Sequence, residues 1–100
     1  MPKTPDNQLL EQARLSLEAH QWPKAERALK KLIKAHPGTA LFHQQLGIAL
    51  QKQGKVHRAI DSFKRAVTAD PDDANLLMLL AHALQEVGRI DEARAAAASS

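Results

Sequence analysis

One hundred residues suit a single domain, and 44% hydrophobic with 25% charged residues is an ordinary globular balance. Aromatics make up only 3%, so the core must be aliphatic, and the lack of Cys removes disulfides, thiolate zinc sites and a Cys nucleophile. The formal charge of +3 is far from the excess of a dedicated nucleic-acid binder. The N-terminus is polar without a signal-peptide core, and the longest apolar run, Leu76 to Ala81, is too short to span a bilayer. The expected location is the cytoplasm.

Apolar spacing predicts six helices, over about 5–19, 23–36, 40–53, 56–69, 73–87 and 90–98. The first gives way at His20-Gln21-Trp22-Pro23, where Pro23 suits the opening turn of the second. Thr39 stands before the third helix and Asp73 before the fifth, each placed to accept free N–H groups. In the third, Leu46, Ile48, Ala49 and Leu50 make an apolar side, and Gly54 ends the helix as a residue tolerant of positive φ. In the fourth, Val56, Ala59, Ile60, Phe63, Ala66 and Val67 recur at i+3 and i+4. The sixth ends in Ala95-Ala96-Ala97-Ala98-Ser99-Ser100, which reads as a frayed tail without a polar cap.

The columns repeat every 34 residues. Pro37 and Pro71 share this spacing, as do Gly54 and Gly88, and Ala25, Ala59 and Ala93. Trp22, Val56 and Ile90 form a large apolar column, and Ala13, Gly47 and Ala81 a small one that should let paired helices approach closely.

This pattern resembles the tetratricopeptide repeat (TPR). The middle copy matches best, with Leu46-Gly47, Leu50, Ala59-x3-Phe63, Ala66 and Pro71, and with His43 where Trp is preferred. The third copy has Leu77, Leu80-Ala81, Leu84 and Ala93, with Ala97 where Phe is usual. The first copy keeps Leu9, Ala13, Ala25, Leu29 and Pro37. The resemblance implies an all-α, right-handed superhelix of three helix-turn-helix hairpins in one domain, residues 1–100. The repeats would fall at about 6–39, 40–73 and 74–100, the last incomplete, which suggests a piece of a longer protein.

In such stacks the first helix of each hairpin lines a concave groove. The resemblance implies a floor of Asn7, Leu10, Glu11, Arg14 and Leu17 from the first copy. Leu41, Gln44, Gln45, Ile48, Gln51 and Lys52 come from the second, and Asn75, Met78, Leu79, His82, Gln85 and Glu86 from the third. The candidate partner-binding set is Leu10, Arg14, Leu17, Gln44, Gln45, Ile48, Gln51, Met78, Leu79 and His82. Glutamines can pair with an extended peptide backbone, and Met adapts to varied apolar surfaces. The subtype that grips chaperone C-termini uses a Lys and Asn clamp. Leu10, Gln45 and Leu79 stand at clamp positions here, so that ligand is not expected.

Lys24, Arg27, Lys30, Lys31 and Lys34, extended by Lys64 and Arg65, form a basic stripe on the convex side. It lacks interleaved aromatics for base stacking and is broken by Glu26 and Asp61, so it reads as a solvated face and not a nucleic-acid surface. His20, His36, His43, His57 and His82 show no metal-ligand spacing, Ser16 and Ser62 belong to no triad pattern, and the four glycines form no phosphate loop.

No enzymatic activity and no cofactor are expected. The leading expectation is a protein-interaction scaffold that binds a peptide or helix of a partner protein in its groove. The alternative is the N-terminal arm of a larger bacterial enzyme of transferase or hydroxylase type, serving substrate recruitment or oligomerisation. Weak homodimerisation through the uncapped C-terminal end is a further expectation, because Leu77, Leu80 and Leu84 should be only partly covered.

Overall fold

The computed structural model describes residues 5–99, and all its regular structure is helical. Five helices succeed one another: α1 (Pro5–Glu18), α2 (Trp22–Ala35), α3 (Ala40–Lys52), α4 (Val56–Ala69) and α5 (Ala74–Ser99). Each packs on its neighbour in sequence, giving an elongated stack of 62 × 29 × 20 Å. Among the described residues no helix is long and apolar enough to cross a membrane.

The turns inside the first two hairpins share one chemistry. After α3, Gly54 adopts φ 80°, Lys55 N–H donates to the Leu50 carbonyl (2.9 Å), and Gly54 N–H donates to that of Gln51 (3.0 Å). This is a Schellman closure, which satisfies the carbonyls a helix end leaves free. After α1 the same pattern recurs. Gln21 N–H donates to Ser16 (2.8 Å) and His20 N–H to Leu17 (3.1 Å). Here His20, not glycine, takes the positive φ, at 57°. Its ring stacks on Trp22, with centroids 5.1 Å apart. Pro23 lies in the first turn of α2, and the Asp73 carboxylate accepts from Asn75 N–H (2.9 Å) at the start of α5. Thr39 precedes α3 but makes no capping bond with its side chain.

The core runs along the repeat columns. Ala13, Ala25, Leu29, Leu32, Leu46, Ala49, Leu50, Val56, Ala59, Ile60, Phe63 and Ala66 are buried, while Ile48 and Val67 are half-buried. Phe63 is fully enclosed against Gly47. A Cβ at residue 47 would stand 2.6 Å from Cδ1 and 2.9 Å from Cζ of that ring. The small column thus sets the approach of α4 to α3.

The third copy departs from the expected hairpin. In place of two helices over 73–87 and 90–98, α5 runs straight through Gly88, which has no positive φ. The physical reason lies in the residues beyond the glycine. Ile90 is the last large apolar residue, and the alanines after it favour helix yet offer little area to bury by folding back. Ala81 is therefore exposed instead of sitting under a paired helix. Leu77 and Leu84 remain 46% and 45% exposed, with Leu80 half-buried. The side chains of Ala96, Ala97 and Ala98, expected in a frayed tail, lie outside the described residues, as does Ser100.

Candidate interaction surface

The first helices of copies one and two, α1 and α3, enclose an open cleft of about 520 Å³. Its lining is Asn7, Leu10, Glu11, Ala13 and Arg14 from α1 with Leu41, Phe42 and Gln45 from α3. The i, i+3, i+4 spacing of these residues puts them on one side of each helix. Leu10 and Leu41 are 43% and 52% exposed, an apolar wall open to solvent, and Phe42 is the buried floor. Arg14 is held at the rim, with its guanidinium donating to Glu11 (2.6 Å) and Glu18 (3.1 Å). Arg14 and Glu11 balance, so the residues lining the cleft carry no net formal charge.

A second polar group joins α3 to α5. Gln51 donates to the Glu86 carboxylate (2.9 Å) and lies 3.4 Å from His82 Nδ1. His82, Gln85, Glu86 and Arg89 line a shallow depression beside it. Ten candidate residues thus divide into separate groups. Leu10, Arg14 and Gln45 share the cleft, while Gln51 and His82 share the polar bridge. Leu17, Ile48 and Leu79 are partly buried and pack on the core. Gln44 is half-buried, and Met78 stands 69% exposed on α5. Three of the ten are thus brought together at the cleft and two at the polar bridge.

Sequence reasoning left Phe42 out of the candidate surface, although an aromatic on a groove-lining helix was the available signal. It also missed Arg89, because a turn was expected at Gly88.

Histidines hold structure here. His43 is buried, its Nε2 2.7 Å from the Pro37 carbonyl, which ties α3 to the preceding loop. His36 meets Asp6 at 2.7 Å. Among the described residues no group of three His, Asp or Glu is placed to hold a metal ion.

The convex basic stripe has a different centre from the one its sequence suggests. Glu26 is buried and ties three segments together. It accepts from Gln53 (2.9 Å) after α3, from Lys55 (3.2 Å) before α4, and from Lys30 (2.7 Å) and Arg58 (3.4 Å). Burial by itself would push this carboxyl up. Hydrogen bonds from Lys30, Gln53 and Lys55 outweigh it and hold the carboxyl down at about 2. The residue that interrupts the stripe is thus a clamp between the first two hairpins.

Two family models described as tetratricopeptide repeat match the chain, over residues 10–74 and 50–99. No curated protein matches it. Among solved structures it is similar to MamA AMB-1, at 26% identity and TM-score 0.79, over 88% of this chain and 48% of that one. A MamA point mutant is 25% identical with TM-score 0.80, over 91% and 66%. Another MamA mutant is 28% identical with TM-score 0.72, over 81% and 44%. The chain spans from under half to about two thirds of the length of these MamA chains.

Proposed function

The chain belongs to the tetratricopeptide-repeat family, and we propose that it is a protein-interaction scaffold holding an extended or helical segment of a partner polypeptide against α1 and α3. The observation that carries this reading is the open cleft between those helices. Leu10, Leu41 and Phe42 offer a wall and floor for an apolar anchor side chain. Asn7 and Gln45 at the edge supply amides able to both donate to and accept from a peptide backbone. The helices around the cleft are preformed and packed, so binding costs little ordering on this side.

The test is selection from a displayed random-peptide library, then titration of the selected peptides. Leu41→Asp and Gln45→Ala are expected to weaken binding by about tenfold or more, each truncation removing on the order of 1–2 kcal/mol. Helicity should stay intact, because both side chains reach solvent. Lys31→Glu on α2 should change little. A set of peptides indifferent to Leu41 and Gln45 but lost with Lys31→Glu would move the site to the convex stripe, and its affinity would then fall steeply with salt.

A further inference from the structure

We propose that the free face of α5 is an antiparallel docking site for the α5 of a second copy of this chain. In the middle copy the columns His43, Gly47 and Leu50 are covered by α4 and buried. The same columns in the third copy, Leu77, Ala81 and Leu84, are exposed, because α5 continues where a second helix would have turned back. With Gly88 they form one stripe at spacings of four, three and four, the seam of a helix pair. The body packs on the flank of α5 that buries Leu76 and Ala83, and Asp91, seven residues beyond Leu84 and past the end of the stripe, meets His57 at 3.5 Å.

Two features of the stripe select a second copy as its occupant. The first is size. An antiparallel pair related by a two-fold axis between residues 82 and 83 sets Leu77 against Gly88 and Ala81 against Leu84. Every large residue then meets a small one, and Gly88 has open space around it to receive a leucine. Self-complementarity of this kind is what a two-fold interface requires. The second is charge. The same register brings Arg94 of one copy beside Asp70 and Asp72 of the other. All three are exposed and make no ion pair among the described residues. The partner helix then occupies the place that a second helix fills in the middle copy. A single helix pair buries on the order of 1,000 Å², at the low end for a specific interface, so the dimer is weak and reversible.

Sedimentation equilibrium over a wide concentration range tests this directly. The wild-type mass should rise from one chain toward two, with half-association on the order of 10–100 μM. Leu84→Glu should hold the mass at one chain while leaving the melting temperature unchanged. Leu41→Glu, equally exposed but in the α1–α3 cleft, should dimerise like wild type, which separates this surface from the proposed peptide site. Register is read by oxidation, since the chain has no cysteine of its own. A mixture of Leu77→Cys and Gly88→Cys chains should form the mixed disulfide. Leu77→Cys alone should not cross-link, because in this register the two copies of residue 77 lie about 16 Å apart along the helices. A one-chain mass at every concentration overturns the proposal. If Leu84→Glu then also lowers the melting temperature, residues 90–99 fold back on their own chain instead. Efficient cross-linking of Leu77→Cys to itself overturns the antiparallel register.

Discussion

The second and third copies carry a glycine in the same column, Gly54 and Gly88, yet the chain reverses at one and runs straight at the other. The difference lies in the segments on their far sides. Beyond Gly54 the chain supplies Val56, Ile60 and Phe63, which are buried against α3. Beyond Gly88 it supplies Ile90 and then alanines. Closing a hairpin fixes a loop and costs conformational entropy, which only apolar burial offsets. A glycine permits a turn; the area waiting behind it decides whether the turn forms.

The largest expected effect separates the two copies at their small column. Gly47→Leu should drive a side chain into the Phe63 ring and cost about 3 kcal/mol, lowering the melting temperature by roughly 12–24 °C. Ala81→Leu, one repeat later, faces solvent in the single chain and, melted at concentrations well below half-association, should stay within about 0.5 kcal/mol of wild type. Urea or thermal melts of the pair decide the matter. Equal losses would mean that α5 is folded back over Ala81 in solution.

A smaller effect concerns how the copies fill a neighbouring column. Copy two has Ile60 there, buried, while copy one has Glu26 with its four partners. The Glu26 carboxyl is depressed from 4.5 to about 2 on folding. Its contribution is therefore fully present above about pH 4.5 and is lost as pH falls through about 2. Glu26→Gln should cost roughly 2 kcal/mol at neutral pH. The gap between wild type and variant should narrow progressively below about pH 4.5, because acid neutralises the same carboxylate. A gap constant from pH 7 down to pH 2 would show that the clamp acts through shape and not charge.

Much of the fold could be read directly from the residues. The 34-residue columns and the helical spacing place four of the five helices within about two residues. Gly88 misled, because periodicity reports a column's residue and is silent on the energy of the segment behind it. The cleft was legible in part. Leu10, Arg14 and Gln45 follow from the family resemblance, but how far Phe42 is buried depends on the angle at which α1 meets α3. Glu26 was illegible for a related reason. Its partners come from residues 30, 53, 55 and 58, and only the stacking of two hairpins brings them to one carboxylate. In the sequence it reads only as a break in the basic stripe.

The smallest effect is one of sign, and it bears on the glycines themselves. At Gly54, φ of 80° is strained for any side chain, so Gly54→Ala should destabilise by about 1 kcal/mol or more although its surroundings are open. At Gly88 the backbone is ordinary helix and the space is also open, so alanine should stabilise α5 by about 1 kcal/mol. His20 supplies the intermediate case in the same column. Glycine there relieves the left-handed strain but removes the stack on Trp22, and the two terms, each about 1 kcal/mol, should nearly cancel. The readout is the melting temperature together with amide exchange across residues 84–92. Gly88→Ala should slow that exchange, since it removes a weak point from a continuous helix. If it speeds exchange and lowers the melting temperature as Gly54→Ala does, then Gly88 turns in solution, the third hairpin closes, and the two copies differ only in how well their second helices are covered.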